Sequence, residues 1–459
     1  METECTIAAV ATPAGEGGIA VIRISGKRAV DICGKVVKAK KPLSQYKARR
    51  AIYASIFEGD KFIDDVIVTL YRSPASYTGE DVVEISCHGS TYIAQLIINL
   101  LIKNGAEPAQ PGEFTKRAFL NGKMDLAQAE AVADLIKAKT ESSRRVAAMQ
   151  LKGGLSKKLS EMREQLIKVM SLIELELDFS EEDIEFASRE KVLKLIERIK
   201  EELEYLLQNY RRGRICRDGI NMVITGLPNV GKSSILNCLV QRERAIVTET
   251  PGTTRDTIEE ILDVEGIQVK IIDTAGIRHS GDLIEKEGVK RAKEAVNIAD
   301  LVIMVLDGSG ETGEEETSLI KWLKDKKTEI LCVINKTDLP MKKSEEDLNK
   351  IIPDLDKVYI SAKTEKGIKE LIRKITEHAL KKGMPGGEEI LITRERHKTA
   401  LQNAVVHLEK AYDSIQKNMS QEFTAFDLRV AAQEIGSITG SITTDQILDN
   451  IFNEFCIGK

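Results

Sequence analysis

The stretch Gly226-Leu-Pro-Asn-Val-Gly-Lys-Ser233 decides the fold of the chain. It matches G-x-x-x-x-G-K-[ST], a glycine-rich loop that wraps around phosphate groups. Gly226 and Gly231 let the backbone turn tightly and approach a polyphosphate closely. The N–H groups at the start of the following helix then point at the anion. Lys232 adds positive charge for the β- and γ-phosphates, and the Ser233 hydroxyl can bind Mg²⁺.

The flanking sequence has the order that such a loop requires. Residues 221–225, with the apolar centre Met222-Val-Ile224, predict a strand, and residues 234–240 predict a helix. A chance glycine turn beside a lysine is the alternative interpretation, and the strand-to-helix position argues against it. The stretch therefore predicts a Ras-like P-loop domain with a mostly parallel, doubly wound sheet.

Two further stretches supply groups for a metal ion and the γ-phosphate. Gly252-Thr-Thr-Arg-Asp256 offers hydroxyls, and we prefer Thr254 as the metal ligand. Asp273-Thr-Ala-Gly276 follows an apolar strand, so that the carboxylate lies near the metal and Gly276 offers an N–H to the γ-phosphate. Both are typical of nucleotide-dependent switches.

Two more stretches select the base. The carboxylate of Asn335-Lys-Thr-Asp338 can accept hydrogen bonds from N1–H and the exocyclic amine of guanine, which adenine cannot offer in that pattern. Ser361-Ala-Lys363 closes the base pocket through a backbone N–H. The motifs stand in the order of a guanine-nucleotide site, and we expect GTP as the ligand.

One position departs from ordinary small GTPases. Ile277 stands where Ras-like proteins carry the glutamine that orients the attacking water. Another residue must orient the water, and the acids that follow are Asp282, Glu285 and Glu287. No arginine finger is obvious, although Arg255 and Arg278 lie nearby. Asn229 offers a neutral oxygen ligand that could help hold a monovalent cation where an arginine finger would otherwise reach.

The composition of the chain excludes several classes of protein. The chain has 459 residues and a formal net charge of −5, so any RNA contact must come from local basic patches. Its seven cysteines form no C-x-x-C pair, which argues against a zinc site or a disulfide framework. We find no secretory signal and no membrane span in the sequence, and we expect a cytoplasmic protein.

The chain predicts a multidomain architecture of α/β and α parts. Residues 1–120 alternate short strands and helices, as an α+β domain would. Residues 121–213 carry two apolar stripes at helical spacing, Leu155 to Leu177 and Val192 to Tyr210. Residues 214–383 form the P-loop domain, and residues 384–459 return to helices. The late helices need partners, so the P-loop domain is expected as an insertion in a discontinuous helical bundle.

Two polar features of the first domain stand out. Arg23 lies inside the apolar strand 19–24, and Thr78-Gly-Glu-Asp81 follows a turn-rich stretch. Charged residues in such positions are usually paired with opposite charges and serve the structure; the alternative is that they belong to a functional site.

The whole chain resembles the tRNA-modification GTPase family MnmE, also called TrmE. Besides the nucleotide motifs, the resemblance rests on these stretches: Ala11-Thr-Pro13, Arg23-Ile-Ser-Gly26, Tyr77-Thr-Gly-Glu-Asp81, Pro111-Gly-Glu-Phe-Thr115, Arg117-Ala-Phe-Leu-Asn121, Asp125-Leu-Ala-Gln-Ala-Glu130 and Phe455-Cys-Ile-Gly-Lys459.

The resemblance implies a folate-binding N-terminal domain that dimerises, a discontinuous helical domain and an inserted GTPase domain. It implies a homodimer that works with the flavoprotein MnmG, in a heterotetramer, on certain tRNAs. Together they would add an aminomethyl or carboxymethylaminomethyl group to C5 of the wobble uridine. The one-carbon donor would be 5-formyltetrahydrofolate or a related tetrahydrofolate, and K⁺-stimulated dimerisation of the GTPase domain would drive hydrolysis.

The resemblance also implies site residues. Folate would bind at Arg23, Glu80, Lys123 and Lys459; Mg²⁺ at Ser233 and Thr254; K⁺ at Asn229, Thr248, Thr250 (through its carbonyl) and Thr253; and the catalytic residue would be Glu285. The GTP-binding residues would be Asn229, Val230, Gly231, Lys232, Ser233, Ser234, Thr248, Glu249, Thr250, Pro251, Gly252, Thr253, Thr254, Asp273, Thr274, Ala275, Gly276, Asn335, Lys336, Thr337, Asp338, Ser361, Ala362 and Lys363.

Two expectations concern the last residues. Lys459 would bring an ammonium and a carboxylate to the folate site, so the terminal helix should pack against the N-terminal domain of its own chain or of a partner. Cys456 matches a family cysteine that could take part directly in the chemistry or could serve packing or the shape of the site. The second interpretation is preferred, because no histidine or other base neighbours it in the sequence.

Two other classes of protein share the nucleotide motifs. A ribosome-assembly GTPase should carry an RNA-binding module beside the GTPase domain, and we find no G-x-x-G loop with strongly basic surroundings. A purely mechanical dimerising GTPase would leave Arg23, Glu80, Lys123 and the final five residues unexplained.

Overall fold

The computed structural model describes residues 5–178, 188–242, 244–245, 258–272, 294–326, 328–380, 389–442, 444–453 and 455–459. They fall into two compact units. The first comprises Met1–Ala133, Leu151–Ser171 and Leu428–Lys459, and the second comprises Asp134–Gln150 and Leu172–Asp427. The four domain ranges given above stay predictions.

The helices alternate with strands in the first unit and in the centre of the second. Up to residue 178 they are α1 (Ala29–Val36), α2 (Thr91–Lys103), α3 (Glu113–Leu120), α4 (Leu126–Lys137), α5 (Glu141–Leu151) and α6 (Gly154–Asp178). The later helices are α7 (Arg189–Gln208), α8 (Tyr210–Asp218), α9 (Lys232–Arg242), α10 (Glu314–Lys324), α11 (Glu345–Ile351), α12 (Ile368–Leu380), α13 (Glu395–Gln416), α14 (Gln421–Thr439) and α15 (Asp445–Phe452).

A mostly antiparallel sheet forms the centre of the first unit. Its strands are β1 (Ile7–Val10), β2 (Gly17–Ser25), β3 (Val37–Lys38), β4 (Ala51–Glu58), β5 (Lys61–Tyr71), β6 (Val82–Gly89) and β7 (Glu107–Pro108). They lie in the order β3-β4-β5-β6-β2-β1-β7, and only the pair β1·β7 is parallel among the described strands. The α+β prediction for this part of the chain is therefore confirmed.

The two faces of this sheet differ because successive side chains alternate between them. Ile22, Val68 and Ile85 point to one face and are fully buried beneath α1 and α2. On the other face, Ile19 and Tyr53 are each 66% exposed. We call this second side the outer face.

The end of the chain packs within the first unit. Phe452 and Phe455 are buried in one cluster with Leu126 of α4. Lys116 of α3 forms an ion pair of 2.8 Å with Asp449 of α15. Helix α15 thus lies against α3, beside the first sheet's short strand β7.

The second unit holds the predicted doubly wound sheet. Its strands are β8 (Ile220–Thr225), β9 (Arg244–Ala245), β10 (Ile258–Val264), β11 (Ile267–Ile272), β12 (Leu301–Asp307), β13 (Glu329–Asn335) and β14 (Asp356–Tyr359). The order is β14-β13-β12-β8-β11-β10-β9; the first five are parallel, and β10 and β9 are antiparallel to their neighbours.

Strand β12 shows that both faces of this sheet are covered. Ile303 and Val305 belong to one core with α9 and α12, whereas Val302 and Met304 belong to a second core with α10 and α11. From β8 the chain first adds strands on one side and later adds β12, β13 and β14 on the other. Ligands of such sheets bind where this direction changes, at the carboxyl ends of the strands.

Helices α7 and α13 pair in the second unit, as expected from the need of the late helices for a partner. Lys200 of α7 lies 2.7 Å from Glu409, and the Tyr412 hydroxyl donates a 3.1 Å hydrogen bond to Glu197. One expectation about α7 was wrong, because the stripe does not continue unbroken to Tyr210. The buried Asn209 ends the helix by donating from its side-chain amide to the Tyr205 carbonyl at 2.9 Å, and α8 begins at the next residue.

Candidate functional site

The phosphate-binding loop joins the carboxyl end of β8 to the first residue of α9, Lys232. Gly231 has φ +97°, and a Cβ there would overlap the side-chain amide of Asn335. Asn229 also adopts a left-handed conformation, with φ +61°. The loop therefore needs glycine at 231, which lets the backbone pass closely over β13.

Lys232 directs its ammonium group back over the loop. Its Nζ donates hydrogen bonds to the carbonyl oxygens of Gly226 (2.9 Å) and Leu227 (2.8 Å). The cation is thus held at the mouth of the loop, beside the N–H groups that begin α9. Both features favour an anion at this end of the helix.

Asn335 connects strand β13 to the loops that follow β8 and β14. It is the last residue of β13 and is only 2% exposed. Its Nδ2 donates to the Val230 carbonyl at 2.9 Å, and its Oδ1 accepts from the Ala362 N–H at 3.0 Å. Because a buried polar group is costly without partners, these bonds fix the loops after β8 and β14 relative to β13.

Lys336 lies in a left-handed conformation, φ +64°, directly after Asn335. Its Nζ lies 2.6 Å from Oδ2 of Asp307. Burial raises the pKa of Asp307, but hydrogen bonds from Lys336 and Ser309 outweigh that effect and hold the pKa below its usual value. The carboxylate is therefore charged at neutral pH and positions the lysine.

Asp307 is absent from the residues predicted from sequence. A signal was present, because the residue directly follows the apolar run 301–306 and ends a parallel strand. The carboxyl ends of parallel strands meet at one edge of the sheet, so an acid there belongs with Asn335 and Asp338.

The Asp338 carboxylate is ionised and exposed, as recognition of a guanine base requires. Ser361, which is fully buried, donates from its hydroxyl to Asp338 Oδ1 at 2.7 Å. This hydrogen bond lowers the pKa of Asp338. The rest of the exposed carboxylate can accept two hydrogen bonds, as N1–H and the amine of guanine require.

The remaining predicted nucleotide residues divide into two groups. Ser233, Ser234 and Lys363 are exposed, and the Thr337 N–H donates to the Ile360 carbonyl at 3.1 Å. The others lie outside the described residues: Thr248, Glu249, Thr250, Pro251, Gly252, Thr253, Thr254, Asp273, Thr274, Ala275, Gly276 and Glu285.

A second polar cluster lies in the first unit, around Arg23 of β2. The Arg23 guanidinium pairs with Glu84 of β6 at 2.8 Å and donates to the Gly458 carbonyl at 3.3 Å. It also lies 5.4 Å from the ring centre of Tyr77. The charge of Arg23 is therefore paired with that of Glu84 within the sheet. Its guanidinium also contacts the last residues of the sequence.

Arg117 orients Glu80. Its guanidinium is 1% exposed and donates to both carboxylate oxygens of Glu80 at 3.2 Å, while the Ser25 hydroxyl donates to the same carboxylate at 2.6 Å. Arg117 also pairs with Glu113 at 2.8 Å. It was not among the predicted site residues, because only the fold brings it beside Glu80.

Lys459 and Lys123 complete the set predicted for folate. The carbonyl of Lys459 accepts a 3.2 Å hydrogen bond from the Phe114 N–H. Burial and the nearby Arg23 guanidinium lower the pKa of the Lys459 ammonium. Lys123 packs beside Gly79 and donates to the Pro74 carbonyl at 3.0 Å, so it lies next to the turn that carries Glu80.

Cys456 is exposed, and its carbonyl accepts from the Gly112 N–H at 3.5 Å. The described contacts of this residue thus run through its backbone and fasten the final turn to the start of α3. The choice between direct chemistry and packing or site-shaping for the Cys456 side chain stays a prediction.

Two family models match the chain. The GTP-binding protein TrmE N-terminus matches residues 6–123, and the MnmE helical domain matches residues 126–456. Curated relatives named tRNA modification GTPase MnmE match along the full length. The protein of Alkaliphilus oremlandii is 43% identical over 463 residues, covering 100% of both chains, and that of Syntrophus aciditrophicus is 44% identical, covering 99% of each.

Solved structures match parts of the chain. The G domain of the Thermotoga maritima FeoB iron transporter is 27% identical and covers 35% of this chain and 98% of its own, with a TM-score of 0.27. Era of Aquifex aeolicus, bound to GDP and AlF4⁻, is 26% identical and covers 41% of this chain and 66% of its own, with a TM-score of 0.29. Among the described residues, we find no helix with the length and apolar character needed to cross a membrane.

Proposed function

The chain belongs to the MnmE, or TrmE, family of tRNA modification GTPases, and from this premise we propose that it binds and hydrolyses GTP in order to modify tRNA. The observation that carries the proposal is the set of contacts by which Asn335 and Asp307 hold the base-recognition motif beside the phosphate-binding loop. The family match in the first 123 residues favours this function over ribosome assembly.

The described residues fit a guanine nucleotide. A side chain at Gly231 would overlap the Asn335 amide, so only glycine allows this path of the loop, and Lys232 places a cation at the mouth of the same loop. At the other end, Ser361 holds Asp338 as an ionised acceptor for the guanine edge. The phosphate-binding loop therefore suits the triphosphate of GTP, and the pocket beside Asp338 suits its guanine base.

Two cations are part of the proposal. Mg²⁺ would be held by Ser233 and Thr254, and K⁺ by Asn229, Thr248, Thr250 and Thr253. When bound, these ions neutralise charge on the phosphates. Glu285 would orient the attacking water, since Ile277 has no polar group. K⁺-stimulated dimerisation of the GTPase domain would bring the catalytic arrangement together.

The cluster in the first unit suits a reduced folate such as 5-formyltetrahydrofolate. The Arg23 guanidinium lies close enough to the half-buried Lys459 to lower the pKa of its ammonium, and two adjacent cations favour the carboxylates of a folate tail. Glu80, held by Arg117, can accept hydrogen bonds from an aminopyrimidine ring. Lys123 adds a third cation beside it.

The proposed reaction adds an aminomethyl or carboxymethylaminomethyl group to C5 of the wobble uridine, with MnmG as the flavoprotein partner. The folate would supply the one-carbon unit. Because tRNA is the substrate, we place the protein in the cytoplasm.

A homodimer with MnmG bound to it, as a heterotetramer, completes the proposal. The outer face of the first sheet supports dimerisation, because Tyr53 and Ile67 are opposite neighbours on β4 and β5 and are 66% and 39% exposed. Ile19 on β2 adds to the same exposed apolar face. Such a patch is typical of a contact between proteins.

Nucleoside analysis of tRNA tests the function directly. Cells that lack the protein should lose the modified wobble uridine, and the wild-type gene should restore it. Arg23→Ala should fail to restore the nucleoside while the purified variant still hydrolyses GTP, because the GTPase site is built from other residues. Unchanged nucleosides in cells without the protein would refute the function.

A further inference from the structure

One edge of the first sheet carries an uninterrupted run of positive charge in a chain whose net charge is −5. Between Asp31 and Glu58 there is no acidic residue. The same interval holds seven basic residues, which we call the basic edge: Lys35, Lys38, Lys40, Lys41, Lys47, Arg49 and Arg50.

The charges of the basic edge are exposed and uncompensated. All seven residues are exposed, and within the described part of the chain none of them forms an ion pair. Glu58, the acid that ends the interval, lies 3.6 Å from Lys103 instead. Some exposed basic residues elsewhere are paired; Lys194 lies 2.6 Å from Glu190, for example.

The local structure spreads these charges along β4. Lys38 on β3 lies opposite Ser55, whereas Arg50 directly precedes β4 at its other end. Ser55 lies five positions after Arg50 along the strand, a span of about 17 Å. Two lysine ammonium groups lie over aromatic rings: Lys38 Nζ is 4.2 Å from the ring centre of Phe57, and Lys41 Nζ is 4.6 Å from that of Tyr46.

The basic edge leads to the proposed folate cluster. The backbone of Arg49 donates to the Leu70 carbonyl at 2.7 Å, and its guanidinium donates to the Ala75 carbonyl at 3.1 Å. Lys123 donates to the carbonyl of the preceding residue, Pro74. A ligand lying along the basic edge therefore reaches the loop on which Lys123 rests.

Protection of an exposed strand edge is the plainer explanation, because lysines on edge strands prevent sheets from pairing with each other. It accounts for Lys38 on the two-residue strand β3. It does not account for the other six residues, which lie outside that strand.

We propose that the basic edge binds the phosphate backbone of tRNA and brings the RNA to the cluster around Glu80 and Lys123. The identity of the RNA rests on the proposed function. Lysine-rich surfaces are favoured for phosphate contacts, whereas lysine is depleted in interfaces between proteins. The nucleic acid is thus a better match than an acidic protein.

The test compares two full-length variants that lose the same charge. Lys40→Gln/Lys47→Gln/Arg50→Gln changes three residues of the basic edge for which no side-chain contact is described. The control, Arg144→Gln/Lys194→Gln/Arg198→Gln, removes three exposed cations that are paired with acids. The probe is an unmodified tRNA transcript, with binding followed by fluorescence anisotropy over a range of KCl concentrations.

We expect the basic-edge variant to bind the transcript about tenfold more weakly, and the slope of log K against log salt to fall by about 2. The control should bind like the wild type. Equal affinities for the two variants would overturn the inference, as would a wild-type protein with no affinity for the transcript. Normal tRNA affinity with lost binding to purified MnmG would overturn it too, since the edge would then contact protein.

This outcome is separable from that of the proposed function. The anisotropy comparison reports phosphate binding by the basic edge, whether or not the RNA is modified. Nucleoside analysis reports the modification, whichever surface holds the RNA. If the function failed, the cellular nucleosides would be unchanged while the two variants could still differ in binding.

Discussion

Lys336 Nζ lies 2.6 Å from Asp307 Oδ2, and this ion pair joins the ends of two neighbouring parallel strands. In the register of β12 and β13, Asp307 lies opposite Asn335, the residue before the lysine. The positive φ of Lys336 turns the chain so that its side chain passes back over the strand ends. The pair therefore holds the base-recognition motif against the sheet.

Asp307→Ala should weaken GTP binding about fivefold. The pair is partly exposed, so its loss is worth about 1 kcal/mol rather than the larger value of a buried pair. Calorimetric titration measures the affinity. Glu311→Gln is the control, because it removes a carboxylate from the exposed pair with Lys342. Equal affinities in the two variants would show that Lys336 needs no such support.

Asp338→Asn should shift the preference from guanine toward xanthine nucleotides. The carboxylate accepts from N1–H and the amine of guanine, whereas the C2 oxygen of xanthine needs a donor such as an amide. Competition of GTP, ATP and XTP for the purified variant measures the change. Retained guanine preference would contradict the role assigned to Asp338.

Ser361→Ala should make guanine-nucleotide binding more sensitive to acid. The hydrogen bond from Ser361 lowers the pKa of Asp338, so its loss raises that pKa toward the usual value. Because only the ionised carboxylate accepts both hydrogen bonds, the variant should lose affinity at a higher pH than the wild type as the pH falls. Ser309→Ala is the control, since its hydroxyl contacts Asp307 instead. Identical pH profiles for Ser361→Ala and the wild type would refute the coupling.

K⁺ should stimulate GTP hydrolysis more than Na⁺ does, and removing the Asn229 amide should abolish the difference. Asn229→Ala also strains the left-handed backbone, so Asn229→Gly is needed as a partner variant that keeps this conformation. Turnover in matched K⁺ and Na⁺ buffers is the measurement. A full K⁺ response in Asn229→Gly would show that the residue serves the loop's shape alone.

Gly458→Ala should release the last residues from the first unit. Gly458 has φ +97°, and a Cβ would overlap the Val10 carbonyl, so the strain is at least about 1 kcal/mol. The Phe114 N–H should then exchange faster with solvent, and wobble-uridine modification should fall, while GTP hydrolysis continues. Ile457→Ala, at a 60% exposed neighbour, is the control. Unchanged exchange at Phe114 would rule out the displacement.

Local patterns predicted much of the fold. The phosphate-binding loop lies between β8 and α9 as predicted, because its glycines and the apolar strand before it are adjacent in sequence. The bounds of helix α2, Thr91–Lys103, also follow from local signals, since the preceding Ser90 caps it and Asn104-Gly105 ends it. The break at Asn209 was missed because no glycine or proline marks it.

Contacts between distant residues could not be predicted. Asp307 and Lys336 meet only because β12 and β13 are neighbours, and strand order is not written in either segment. Arg117 likewise reaches Glu80 across 37 positions of sequence, through the packing of α3. Periodicity and motifs thus predict which residues belong to the site. Which of them contact each other depends on the order in which the strands and helices pack.

The hydrogen bond from Phe114 to Lys459 has a consequence for biosynthesis. Its two residues are separated by 345 positions, so at about 5 to 20 residues per second the ribosome needs roughly 20 to 70 s to make the second after the first. During that time the amide of Phe114 and the Val10 carbonyl at the end of β1 lack the segment that finally covers them. A nascent chain can thus complete its GTPase domain before its first unit closes, and a prematurely terminated product would keep the nucleotide site without the finished cluster around Arg23, where we propose that folate binds.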